Sequence, residues 1–229
     1  MKTIGLIGGM SWESTIPYYA VINEYVKEKL GGLHSAKIIL YSVEFDEIEK
    51  YQSSGEWERS GVILADAARK LELAGADMIL ICTNTMHKVF DQVQSAVSVP
   101  LIHIAEATAD ALGKERVRSV ALLGTKYTMT QDFYKKKLTD RGFRVLVPRE
   151  EDIELVNGVI FNELCVGKIR DESRSEFSRI ISELKAEGAE AVILGCTEIG
   201  LLIHPEDSVL KTFDTTKIHA LVAASKALE

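Results

Sequence analysis

Residues 74–85, "AGADMILICTNT", decide the fold once they are set above residues 187–198, "EGAEAVILGCTE". At a constant spacing of 113 residues, Gly75 meets Gly188, Ala76 meets Ala189, Asp77 meets Glu190, and the two apolar runs superimpose. An unbroken apolar run such as residues 77–82 is the pattern of a strand buried on both faces of a parallel sheet. A second match precedes each run. "TIGLIGG" (3–9) pairs with "SVALLGT" (119–125), which sets Gly8 against Gly124, and "PYY" (17–19) lies against "DFY" (132–134). Any two βα units share a glycine and an apolar run, but two matches in the same order at nearly the same spacing argue for duplication.

Working outward, short apolar runs alternate with longer helical patterns. Strands are expected at 3–8, 36–43, 77–82, from 100, at 118–124, 143–148 and 190–195. Helices are expected at 14–30, 56–75, 87–97, 130–142, 152–167, 171–188 and 215–228. In the first helix Ser14 is the expected cap, Pro17 falls in the first turn, and Gly31-Gly32 stops it. Alternating strands and helices indicate an α/β class with parallel sheets. The expected architecture is two pseudo-symmetric α/β domains, each a mainly parallel sheet flanked by helices. The expected boundaries are 1–98 plus 211–229 for the first and 99–210 for the second. In open α/β sheets ligands sit beyond the carboxyl ends of the strands, so an active site is expected in a cleft where the two third strands end.

Bulk properties narrow the function. The 229 residues are 46% hydrophobic and 27% charged, a globular profile. A net charge of −7 argues against a nucleic-acid or anionic-membrane partner, both of which want a basic face. No apolar run is long enough to span a bilayer, and the N-terminal apolar stretch is too short for a secretory signal. Three widely spaced cysteines form no disulfide framework, and no CxxC or HxxxH pair suggests a metal. A reduced, cytoplasmic location is the expectation. Gly8-Gly9 resembles the start of a dinucleotide loop, but "GGMSWE" (8–13) lacks the third glycine.

The alignment also sorts the thiols. Cys82 falls against Gly195, and Thr83 falls against Cys196. Strand side chains alternate faces, so Cys82 should point into packing and Thr83 with Cys196 should form the facing pair. Cys165, on the apolar face of a helix, reads as structural. Cys196 follows a parallel strand and precedes an expected helix N-terminus, a position that lowers a thiol's pKa. Glu198, two residues on, could orient or deprotonate that thiol. It would also raise the pKa by charge repulsion, or simply sit in a helix's first turn. Asn84, Thr85 and Thr197 follow the two strands where N–H groups and hydroxyls can cradle a carboxylate, or cap helices. Met10 and Ser11 should line the floor of the cleft after the Gly8-Gly9 turn, with Tyr127 and Thr128 as their counterparts. Gln52 could be a neutral donor. His87 reads equally as a catalytic and a capping residue, and the remaining histidines show no partner pattern.

"GLIGGMSWEST" (5–15), "CTNTMH" (82–87) and "LGCTEIGLL" (194–202) together resemble the aspartate/glutamate racemase family that works without pyridoxal phosphate, over essentially the whole chain. The resemblance implies two α/β domains with the active site between them, no cofactor, no metal, a small acidic amino acid as substrate, and a homodimer. It also implies removal of the α-proton by one cysteine and return of a proton from a second. Lys168 in "CVGKIR" (165–170) lies where the family carries a ligand for the side-chain carboxylate. This chain departs from the common "CNT" pattern with Thr83-Asn84-Thr85, as in a subgroup selective for L-aspartate and L-glutamate. Cys196 is then expected to work on one face of Cα and Thr83, or a water it holds, on the other, with unequal kinetics in the two directions. Decarboxylation, maleate isomerisation and hydantoin racemisation by relatives, or amino-acid binding without catalysis, are the alternatives.

Overall fold

A computed structural model describes residues 1–229. The chain divides into two compact units, Met1–Ile104 with His219–Glu229, and Ala105–Ile218.

The first unit runs β1 (Thr3–Gly8), α1 (Trp12–Leu30), β2 (Lys37–Ser42), α2 (Phe45–Ser53), α3 (Trp57–Leu73), β3 (Met78–Ile81), a 3-10 turn (Thr85–Val89), α4 (Phe90–Gln94) and β4 (Leu101–Ile102). The chain then continues through α5 (Ile104–Lys114), β5 (Ser119–Gly124), α6 (Lys126–Thr130), α7 (Asp132–Thr139), β6 (Arg144–Leu146), α8 (Glu150–Asn162) and a 3-10 turn (Leu164–Val166). It ends with α9 (Asp171–Ala186), β7 (Ala191–Gly195), α10 (Ile199–Leu202), a 3-10 turn (Pro205–Asp207), β8 (Lys211–Asp214) and α11 (Thr215–Leu228).

Two four-stranded sheets result, in the orders β2-β1-β3-β4 and β6-β5-β7-β8, and all pairings are parallel. One topology is therefore written twice, and the sequence repeat recurs as local geometry. Gly75 and Gly188 each leave a helix with positive φ, +95° and +102°, a region glycine enters at no steric cost. Asp77 accepts the Thr3 amide at 2.6 Å, and Glu190 accepts the Arg118 amide at 2.6 Å, so each acid ties the start of a third strand to that of a first. Both carboxyl groups gain a place in the same corner of the two sheets. The expected pairing of 17–19 with 132–134 is corrected by one residue. Tyr18 and Tyr134 are the fully buried tyrosines, 116 residues apart like Gly8 and Gly124, whereas Tyr19 is exposed.

Period two along β3 divides the first core. Ile79 and Ile81 pack with Leu64, Ala67, Ala68 and Leu71 of α3. Met78, Leu80 and Cys82 pack with Tyr18 and Ile22 of α1 and with Ala220, Ala223, Ala224 and Ala227 of α11. Truncating Leu80 to alanine between those helices would cost about 2–5 kcal/mol. In the second unit Val192, Leu194 and Cys196 share one cluster with Phe177, Ile180, Ile181 and Leu184 of α9.

Three further expectations are corrected. The boundaries at 98/99 and 210/211 shift, because Leu101–Ile102 pairs with β3 and Lys211–Asp214 pairs with β7. The cap of α1 is Ser11, whose side chain accepts the Ser14 amide at 3.4 Å, so the helix starts two residues earlier and Pro17 lies beyond the first turn. The helix expected at 130–142 is shorter, α7 over Asp132–Thr139, and the extended Gln131 separates it from the short helix α6, which was not expected.

Candidate active site

In each unit the first and third strands are neighbours that end side by side, as Ile7 with Ile81 and Gly124 with Gly195 show. The candidate residues from Met10, Ser11, Thr83, Asn84, Thr85, Tyr127, Thr128, Cys196, Thr197 and Glu198 follow those ends.

In the first unit the β1 loop is held from within. The Gly9 amide donates to Thr15 Oγ1 at 2.9 Å, and the Ser14 and Thr15 hydroxyls donate to the Ser11 carbonyl at 3.1 and 2.9 Å. Gly9 has φ +90°, and a Cβ there would lie 2.4 Å from the Val43 carbonyl oxygen, so the tight turn requires glycine. Met10 belongs to the apolar cluster against α3, and Ser11 is occupied as the helix cap. Both are buried.

After β3 the chain makes a tight reversal in which the Thr83 amide donates to the Ile81 carbonyl at 2.8 Å. Thr83, Asn84 and Thr85 are all buried. Cys82 is fully buried in the α1/α11 cluster, and burial alone pushes its thiol far above the ordinary cysteine range. Gln52, at the end of α2, is also buried, and its amide donates to Met86 Sδ at 3.0 Å, supporting the 3-10 turn that carries Thr85. His87 accounts for the remaining geometry. It is buried, with Nδ1 2.8 Å from the Thr83 carbonyl and Nε2 accepting the Ile104 amide at 3.1 Å.

In the second unit Cys196, Thr197 and Glu198 form one cluster. The Cys196 thiol donates to Glu198 Oε2 at 2.8 Å, and the Thr197 hydroxyl donates to the same oxygen at 2.9 Å. All three are buried. The expected lowering of the Cys196 pKa is overturned. Burial raises it well above its ordinary value, and the Glu198 charge and Cys165 raise it further. The helix that should have lowered it, α10, is four residues long and supplies little dipole. The thiol thus rests protonated, with its hydrogen directed at Glu198 Oε2. Cys165 packs against the same apolar cluster as Cys196.

Thr128 is fully buried, and its amide donates to Thr125 Oγ1, the cap of α6, at 3.3 Å, while Tyr127 is half-buried. Lys168 is exposed just beyond Gly167, with its amide on the Glu163 carbonyl at 2.8 Å. Asp214 escaped the sequence reading. Its carboxyl, raised by burial, accepts the Thr216 and Lys217 amides at 2.9 and 3.1 Å and lies against Gly200 of α10. The signal was an Asp directly before a helical run. No group of three or more His, Cys, Asp or Glu side chains is placed to hold a metal ion, and no helix is long and apolar enough to cross a membrane.

The Asp/Glu/Hydantoin racemase family profile matches residues 7–223, and the chain belongs to that family. A crystal structure from Yersinia pestis, described only provisionally as an Asp/Glu racemase, is 52% identical over the full length of both chains, with a TM-score of 0.92. The structure of an aspartate racemase homologue from Pyrococcus horikoshii OT3 is 42% identical, again over both full chains, with a TM-score of 0.86. A broad specificity amino-acid racemase from Bacillus subtilis (strain 168) is 24% identical across 93% of this chain and 92% of its own.

Proposed function

We propose that the protein is a cofactor-independent racemase that interconverts the enantiomers of aspartate or glutamate. The observation that carries this reading is the buried Cys196–Glu198 pair at the end of β7, 2.8 Å apart, with Thr83 at the equivalent position after β3. Racemisation needs a base on one face of Cα and an acid on the other. Cys196 supplies one. Its proton passes to Glu198 Oε2, the thiolate takes the α-proton of one enantiomer, Thr83, or a water it holds, protonates the opposite face, and the proton held by Glu198 returns through solvent to Thr83 or its water. In the reverse direction the Cys196 thiol is the acid. Donors from Asn84, Thr85 and Thr197 meet the α-carboxylate and stabilise the charge that develops on it. Lys168 and Gln52 are the donors assigned to the distal carboxylate. A homodimer in the cytoplasm completes the reading.

Thr83 itself favours a second reading, since a hydroxyl is a poor base near neutrality. One-thiol chemistry of the same superfamily, such as decarboxylation, would use Cys196 alone. Amino-acid binding without turnover would use neither. Proton NMR of L-aspartate and L-glutamate in D2O, with no added cofactor, separates these. Racemisation predicts loss of the α-proton signal and appearance of the D-enantiomer on a chiral column, both abolished in Cys196→Ala. An intact α-proton with both substrates refutes the proposal.

A further inference from the structure

The site residues account for Thr83 but not for what holds it, and this inference rests on the racemase reading above. We propose that His87 is a positioning residue of the reaction, which as its Nδ1–H tautomer fixes the Thr83 carbonyl and so sets the aim of the Thr83 side chain and the Asn84 amide.

The tautomer follows from the partners. A carbonyl oxygen only accepts, so Nδ1, 2.8 Å from the Thr83 oxygen, carries the proton. An amide only donates, so Nε2, 3.1 Å from the Ile104 nitrogen, is bare. The ring is thus pinned at both nitrogens. It stacks on Phe90 with a 15° interplanar angle, and the His103 and His219 rings lie 4.7 and 5.8 Å away between centroids. His219 secures the same shell, with Nε2 donating to the Ile102 carbonyl at 2.8 Å and Nδ1 accepting from the Tyr18 hydroxyl at 2.9 Å. The two histidines therefore hold Ile102 and Ile104 on either side of His103. Burial and the two neighbouring imidazoles keep His87 neutral.

The consequence lies in one peptide plane. The 83–84 peptide is trans, so its C=O and N–H point in opposite directions. Turning the Thr83 carbonyl inward to His87 turns the Asn84 N–H outward. The second unit does without this device. Gly200 stands 113 residues beyond His87, and the Cys196 carbonyl is taken by the Ile199 amide at 3.1 Å. The histidine brace belongs to the half that carries the weaker proton-transfer group, where small errors of placement cost most.

Two substitutions divide the brace. His87→Asn keeps a donor at the Nδ1 position and loses contact with Ile104. His87→Gln keeps an acceptor at the Nε2 position and loses the Thr83 contact. A positioning role predicts that His87→Gln lowers kcat for inversion about 10–100-fold with KM little changed, while His87→Asn stays within about threefold of wild type. It also predicts that His87→Gln preserves α-deuterium wash-in to the enantiomer that Cys196 serves, because that step does not use Thr83. Nitrogen-15 NMR should find His87 protonated at Nδ1. A merely structural histidine would lower Tm in both variants and leave kcat per folded molecule alike, and that result overturns the proposal, as does an Nε2–H tautomer. If wild-type enzyme exchanges no α-proton, the racemase reading fails and the positioning role with it. Normal wild-type turnover with an unaffected His87→Gln defeats the positioning role alone.

Discussion

The loop after β3 and the loop after β7 hold the same place in two copies of one topology, yet they are built on different chemistry. Residues 83–87, Thr-Asn-Thr-Met-His, stand where residues 196–200, Cys-Thr-Glu-Ile-Gly, stand in the other copy. The first is held from the backbone side, by His87 on a carbonyl. The second is organised at the side chains, by Glu198 receiving a thiol and a hydroxyl on one oxygen. The two equivalent positions carry a titratable thiol in one copy and a hydroxyl in the other. On the proposed racemase reading, the thiol half needs a proton acceptor beside it and the hydroxyl half needs placement.

Substitutions should break this comparison unequally. Cys196→Ser should have the largest effect, about a 10²–10⁴-fold loss of α-proton exchange measured by NMR, the range expected when a proton-transferring side chain is lost. Activity within tenfold of wild type would mean that the second unit does not hold the base.

The first unit should be the acid-sensitive one. His219 is fully buried, and its pKa falls to about 3 because burial disfavours the charged ring. The unfolded chain titrates near about 6.5, so it binds more protons than the folded chain on the acid side. This contribution is complete above the unfolded pKa and is lost progressively as pH falls toward about 3. Each pH unit inside that window costs up to about 1.4 kcal/mol per proton. His87, also lowered, acts with the same sign. Denaturant titrations at pH 7, 6 and 5 should show a steep fall that His219→Gln flattens by close to one proton. Equal slopes would remove His219 from the account.

Glu198→Gln tests the second unit's pairing. The carboxylate is one of the causes that raise the Cys196 pKa, so its removal should lower that pKa and raise the rate of iodoacetamide alkylation at Cys196 near neutrality. A fall of one unit gives about tenfold more thiolate. Catalysis should fall even as alkylation rises, because the proton acceptor is gone. Slower or unchanged alkylation, followed by peptide mapping, would refute the arrangement. The smallest effects belong to the caps. Ser11→Ala and Thr125→Ala should each cost about 0.5–2 kcal/mol in thermal unfolding without changing the balance between the units.

Much of this was legible in sequence because it rests on local periodicity. The repeat at 74–85 and 187–198, the apolar strands, and the separation of Cys82 from Thr83 all follow from a period of two along a buried strand. Other features depended on neighbours. In α2, "FDEIEKYQS" (45–53), only Ile48 and Gln52 are buried, too few to show a helical stripe. The strand β8 is four residues long and is defined by its pairing with β7. The rise in the Cys196 pKa needed the burial and the 2.8 Å contact, since position before a helix argued the other way. His87 joins residues 83 and 104, and His219 joins 18 and 102, contacts that no spacing rule reveals.

The most direct test of the division of labour is Thr83→Ala in D2O, starting separately from each enantiomer and following deuterium wash-in and inversion together. Two enantiomers have equal free energy, so kcat/KM for inversion must match in the two directions, and asymmetry has to be sought in exchange. The account predicts that one enantiomer still takes up α-deuterium, through Cys196, while inversion falls sharply from both sides. Inversion at the wild-type rate, or loss of wash-in from both enantiomers alike, would contradict it.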